Sequence, residues 1–255
     1  MNKRGILFHA KHAYMPNVLG YCGPEERGRI LRGIEDGKAG DDLVTVLSEF
    51  EAAYPFLKLI ARNNGRDAFD YSVPEAYWIG NSLLEHVPAS DFHGFAQREL
   101  KGMGNERARS VLKGLQGPAL PHHSFYVMST YAVAGSGNGP DMTNEASKKI
   151  AGLIDSCRIS WGKVTRVGSE DLKVELKPLA IEDGRLTLAK PVLRRVKYNA
   201  DVNPFGAVKP GDVVSIHWDY ACDILSPRQV RNISRFTAAD LSLVNRFLNS
   251  RELKS

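Results

Sequence analysis

Apolar residues recur at intervals of three and four through roughly the first 155 positions, then alternate with polar ones over about the next 65. The first spacing is that of helices with one buried face, the second that of strands with one. After Gly23 and Pro24, the trio Ile30, Leu31 and Ile34 predicts a helix over 25–35 ending at Gly37. Asp41 or Asp42 is placed to cap the next, with Leu43, Val46, Leu47, Phe50 and Tyr54 as its stripe and Pro55 as its end or kink. Residues 56–61 continue it. Ser72 and Glu75 have capping-box spacing. The helix they introduce carries Ala76, Tyr77, Trp78, Ile79, Leu83 and Leu84, apolar on most sides and therefore central. Shorter helices are expected over 91–101, 105–115 and 142–155. Near the start, His9 and His12 would share a helix face, but Gly5 and Pro16 argue against a helix, and 14–24 reads as a turn-rich loop.

From Cys157 to Cys222 the pattern changes. The runs 172–178, 186–188 and 192–198 are short, rich in β-branched residues and broken by turns. Asp183-Gly184 is a two-residue hairpin signal, since both types tolerate positive φ. Lys209-Pro210-Gly211-Asp212 is a second turn. Four or five strands in about 65 residues form a small barrel rather than a parallel sheet. A thiol stands at the entrance to its first strand and a histidine at the end of its last. Pro227 opens a helix beyond the barrel, and Thr237 to Asp240 caps a final one with Leu241, Val244 and Leu248 as its stripe. Gly135 to Pro140 has linker composition. The expected class is α+β: an N-terminal all-α domain over 1–156, then a small β-barrel with C-terminal helices over 157–255.

Composition narrows the setting. The chain of 255 residues is 43% hydrophobic, enough for a substantial core. No apolar run reaches eighteen residues, so no membrane span is expected, and the start lacks the apolar stretch of a signal peptide. Three cysteines, Cys22, Cys157 and Cys222, are too few and too scattered for a disulfide framework, which fits a reducing cytoplasm. The net charge of +5 is concentrated late, with 17 Lys and Arg against 11 Asp and Glu over 157–255. That bias suits an acidic partner, nucleic acid included, and equally an ordinary solvated surface.

Chemistry-bearing residues cluster in four stretches. Cys22 lies in the loop 14–24 with two tyrosines. Glu75 and Trp78 share the central helix. His122 and His123 precede a strand-like run, where neighbours point to opposite faces and so do not share one ion. Cys157 is followed by Gly162-Lys163, and Gly211-Asp212 leads to His217, Trp218, Asp219, Tyr220, Ala221 and Cys222. A thiolate with an imidazole is a donor set for a soft metal such as low-spin iron, and Arg158 and Lys163 are expected to lower the thiol's pKa.

The last two motifs resemble the small hydrogenase-maturation chaperones of the HypC/HupF type. Those proteins begin with Cys, carry Gly-Lys or Gly-Arg five and six residues on, and close their barrel with Gly-Asp, an apolar strand, His, any residue, Gly, an aromatic and Ala. Here the cysteine is internal, Trp161 stands for the proline before the glycine, and Asp219 for the glycine after the histidine. The four stretches together also resemble an uncharacterised bacterial family associated with hydrogenase gene neighbourhoods. The resemblance implies a maturation accessory of nickel–iron hydrogenase that transiently handles iron, in carbonyl- and cyanide-ligated form, through Cys157 and His217. Its expected partner is the large-subunit precursor or an iron-assembly protein, met by Trp161, Lys163, Trp218, Asp219 and Tyr220. Cys22, Glu75, Trp78, His122, His123 and Cys222 are candidates for a further site. Two alternatives remain: a small barrel stacking single-stranded nucleic acid on Trp161, Trp218 and Tyr220, not the expected partner because Asp219 and Asp223 oppose phosphates, and an enzyme using Cys157 with His217.

Overall fold

The computed structural model describes residues 2–99, 120–134, 145–182, 184–198 and 207–252. The expected segment 105–115 and the linker 135–140 lie outside them. Helices come first: α1 (Lys3–Val18), α2 (Arg27–Glu35), α3 (Asp41–Ser48), α4 (Ala53–Asn63), α5 (Ser72–Trp78), a 3₁₀ turn (Ser82–His86), α6 (Ala89–Glu99), α7 (His123–Ala134) and α8 (Glu145–Cys157). Among the described residues seven strands follow: β1 (Ser160–Val167), β2 (Asp171–Leu176), β3 (Leu179–Glu182), β4 (Arg185–Leu188), β5 (Val192–Lys197), β6 (Val213–His217) and β7 (Tyr220–Ile224). The last element, α9, spans Pro227–Glu252. The α+β class holds. No helix among the described residues is long and apolar enough to cross a membrane.

The start of the chain is helical after all. Gly5 is needed there because a β-carbon would fall 1.9 Å from the Phe69 carbonyl oxygen, so the helix lies directly on the backbone before α5. Pro16 sits near the end of α1, where its missing N–H costs one hydrogen bond rather than the helix. His9 and His12 are fully buried on α1. Helix α3 is capped by Gly40 rather than an aspartate, with Asp41 and Asp42 in its first turn, where their charge suits the helix dipole. It stops at Ser48, and Pro55 lies inside the first turn of a separate helix. The capping box at Ser72 does not form: Ser72 donates to Asp70 at 2.7 Å, and Glu75 is drawn elsewhere. His122 and His123 precede and open a helix, not a strand. Thr237 and Asp240 lie within one continuous α9, since no glycine or proline interrupts it.

Strands β1, β2, β5, β7 and β6 close into a barrel, and β3 with β4 forms a separate hairpin turning at Gly184. On β2 the alternation is complete, with Leu172, Val174 and Leu176 inward and Lys173 and Glu175 outward. Val164, Val196, Val214 and Ile216 complete that interior. Gly162 closes the β1–β2 seam, where a β-carbon would meet the Glu175 carbonyl oxygen at 2.5 Å. A second core joins α1–α8 to α9 and takes Leu179 and Leu186 from the hairpin. His217 ends β6 but not the barrel. Trp218 and Asp219, at φ 53° and 56°, turn the chain directly into β7, an arrangement that usually favours glycine or asparagine.

Candidate metal centre

The two ligand candidates from the barrel motif meet. One donor atom each of His123, Cys157 and His217 lies within 4.8 Å of the others. Three elements supply them: the first residue of α7, the last of α8 and the last of β6. A tetrahedral ion with bonds near 2.0–2.3 Å holds its donors roughly 3.3–3.8 Å apart, so donors within 4.8 Å of one another need only small side-chain adjustments to surround a metal. The chemistry of the set, two imidazoles and one thiolate, suits zinc, iron, cobalt or copper better than hard cations.

Hydrogen bonds assign the imidazole protons. His217 Nδ1 lies 2.6 Å from the His12 carbonyl, which can only accept, so Nδ1 carries the hydrogen and Nε2 the lone pair. That Nε2 is buried and has no partner. His123 Nε2 donates to the Cys157 carbonyl at 2.9 Å, and His123 Nδ1 accepts from the Tyr77 hydroxyl at 3.1 Å. One ring thus presents a bare lone pair, while the other's is covered by a phenol. Burial holds His217 down at about 4 against the pull of nearby carbonyls, and holds His123 well below its usual range. Both rings are neutral at physiological pH, the state a metal requires.

Cys157 behaves differently from the sequence expectation. Burial pushes its thiol up to about 12, so the free protein carries a thiol, not a thiolate. Arg158 does not activate it: the guanidinium is fully buried and spent on Asp155, with Nε at 3.0 Å and a terminal nitrogen at 2.7 Å. Lys163 projects from β1 and lines a surface cavity of about 340 Å³ with Trp161. The Asp155–Arg158 pair instead positions the cysteine. Asp155 also accepts from the Leu179 N–H at 2.8 Å and from Arg194 at 2.9 Å, tying the end of α8 to the hairpin and to β5. A bound cation would restore the thiolate by displacing the proton.

Trp78 is the floor of the site. Its ring lies 4.6 to 5.7 Å, centroid to centroid, from those of His123, His9, His217 and His12. The indole N–H donates to His9 Nδ1 at 2.9 Å, and His12 Nε2 pairs with the Ser215 hydroxyl at 3.1 Å. The remaining candidates lie elsewhere. His122 points away from His123 and bonds Asp240 of α9 at 2.6 Å. Glu75 is buried against Arg228, Gln229 and Asn81 and joins α5 to α9. Cys222 is buried in β7, its thiol directed at the Tyr220 carbonyl. Two of the three expected aromatic rings are engaged within the chain: Trp218 stacks on Tyr21 at 4.4 Å and Tyr220 meets Tyr14 edge-on. Asp219 is exposed at the hairpin tip and pairs with Arg194. Tyr77 and Asp155 were not anticipated, since an apolar helix and an acidic residue three positions before an arginine carry no sign of a site.

The fold and the geometry define an α+β protein in which a helical layer and a small barrel converge on a buried two-histidine, one-cysteine cluster. Over residues 1–251 the chain matches a family of unknown function, DUF6390, and it belongs to that family. No curated protein and no solved structure matches it.

Proposed function

We propose that this protein binds a soft or borderline metal ion at His123, Cys157 and His217 and handles it as cargo, in the maturation of nickel–iron hydrogenase. The observation that carries the metal reading is the His217 Nε2 lone pair, buried, oriented by a backbone carbonyl, without a partner, and facing a cysteine and a second histidine. Leaving such an atom unsatisfied costs about 1–3 kcal/mol, a cost that a bound ion removes. The hydrogenase setting rests on the motifs around Cys157 and His217 and on the closed barrel that bears His217. Three protein donors leave at least one coordination position for a ligand carried with the metal or supplied by a partner. A thiol held near 12 and an imidazole that does not take its proton speak against Cys157 as an enzymatic nucleophile. The engaged rings of Trp218 and Tyr220 speak against base stacking.

Two measurements test the reading together. Purified protein should bind ferrous iron or cobalt one to one, and Cys157→Ser should abolish binding while leaving the circular dichroism spectrum unchanged. In a host carrying a nickel–iron hydrogenase, Cys157→Ser should lower hydrogenase activity at normal protein level, with Lys190→Ala as a surface control. Metal binding without a hydrogenase phenotype would keep the centre and remove the setting. Absence of metal binding by the wild type would remove both.

A further inference from the structure

We propose that the cavity between α1, the start of α5, β7 and α9 binds a small phosphate monoester with an apolar body, its phosphate held by Lys3 and Arg4. This site shares no residue with the His123, Cys157 and His217 centre and does not depend on the metal reading.

The cavity has a volume of about 560 Å³, within the roughly 300–1,000 Å³ of ordinary small-molecule sites. Lys3, Leu7 and Lys11 recur every fourth residue along one face of α1, so that face presents cations with an apolar residue between them. Ile34 from α2 and Ile224 from β7 extend the apolar wall. Tyr71 lies beneath Arg4, whose guanidinium carbon is 3.8 Å from the ring centroid. The Tyr71 hydroxyl accepts from Gln229 of α9 at 3.0 Å, and Gln229 also donates to the buried Glu75 at 3.1 Å. The ring that supports Arg4 is therefore held from behind by two further elements.

Charge selects the ligand. The charged residues lining the cavity are Lys3, Arg4, Lys11 and Asp223. Lys11 and Asp223 pair with each other at 3.4 Å and are largely buried. Lys3 and Arg4 are exposed, and among the described residues neither forms an ion pair with a carboxylate. Both stand in the first turn of α1, which contains no acidic residue and where the helix dipole penalises positive charge. An anion bound there offsets that penalty. A guanidinium stacked on a ring keeps its in-plane N–H donors for an oxyanion, which it takes two at a time. A phosphate monoester carries about −1.5 to −2 charges at neutral pH and so matches the excess of two, whereas a carboxylate neutralises one. Inorganic phosphate would leave Leu7, Ile34 and Ile224 facing water, so the ester carries a hydrophobic body that covers them.

Phenyl phosphate is the probe, titrated into the full chain by calorimetry with inorganic phosphate and benzoate as comparisons. It should bind one to one with a Kd below about 1 mM, and about tenfold or more tightly than either comparison. Arg4→Gln should weaken it by about tenfold or more and Lys3→Gln severalfold, while Lys190→Ala should leave it unchanged. Equal binding of inorganic phosphate would reduce the cavity to a plain anion patch and overturn the proposal. Tighter binding of benzoate, or no binding of phenyl phosphate, would overturn it too. Wild-type affinity in both Arg4→Gln and Lys3→Gln would place the ester elsewhere and overturn the assignment of the cavity. Apo thermal midpoints establish that the variants are folded. Should Arg4→Gln unfold through loss of its contact with Tyr71, Lys3→Gln and Arg4→Lys, which keeps the charge without the planar fork, decide the matter by the same loss of affinity.

Discussion

His217 Nδ1 lies 2.6 Å from the carbonyl oxygen of His12, four residues before Pro16. In an uninterrupted helix the N–H of residue 16 would claim that carbonyl. Proline has none, so the acceptor is left for an imidazole from β6, 205 positions away. A break in the α1 ladder thereby sets the tautomer of a candidate ligand. Pro16→Ala should return the carbonyl to the helix, stabilise α1 in isolation and release the ring. Metal affinity is expected to fall by about 10- to 100-fold, the usual cost of losing such an outer partner. Nitrogen-15 chemical shifts should show His217 passing from a single tautomer to a mixture. An unchanged affinity and tautomer would separate the proline from the site.

Tyr77 covers the only lone pair of His123. Metal coordination at that nitrogen has to displace the phenol, which costs a hydrogen bond of about 1 kcal/mol. Tyr77→Phe removes the competitor, so affinity should rise severalfold while apo stability falls by about 1 kcal/mol. Isothermal titration with cobalt reads the first and denaturant unfolding the second. A large loss of affinity would instead make the hydroxyl a ligand.

Asp155 neutralises an arginine that has no access to solvent. Asp155→Ala leaves Arg158 charged and unpaired in the core, with an expected loss of about 3–5 kcal/mol. Exchanging both residues together for apolar ones of similar volume should cost far less. A double-mutant cycle of urea midpoints checks this. Near-additive losses would mean that the pair is not what fixes the end of α8.

Acid should unfold the protein well above the ordinary carboxylate range. Burial holds His9 and His12 at about 3 and His217 at about 4, with His123 also depressed. Above about pH 6.5 these rings are neutral both folded and unfolded and contribute nothing. Below it the unfolded chain takes up protons that the folded one refuses, so stability falls as pH falls, by up to about 1.4 kcal/mol per pH unit for each ring. The loss continues until the folded values are reached. Asp223 and Asp240, raised by burial, act in the opposite direction, two groups against four. Stability should therefore be flat from pH 8 to 7 and drop steeply between 6 and 4. His9→Gln, whose amide does not titrate, should shallow the slope. A flat profile to pH 4 would contradict the burial of these rings.

What the chain alone determined was local. The change of period near residue 159 announced helices followed by a barrel, and Gly184 and Pro227 marked a turn and a helix start where they occur, because each acts through its own φ. Cys157 and His217 were legible as a pair only through the spacing of residues around them. The third donor is not legible with them: the sequence sets His122 and His123 just before a strand-like run and offers His123 only for a further site, whereas the two rings diverge from the start of a helix. Gly5 and Pro16 misled for a related reason: propensity penalises them in a helix, and only the packed structure decides whether a close approach needs the glycine or a distant imidazole takes the unclaimed carbonyl. Trp218 and Asp219, at positive φ without a glycine, gave no turn signal. Protonation was decided entirely by tertiary structure. Arg158 beside Cys157 in sequence suggests an activated thiolate, yet the fold turns the guanidinium into Asp155 and buries the sulfur, because desolvation and partner geometry, not sequence adjacency, determine a pKa.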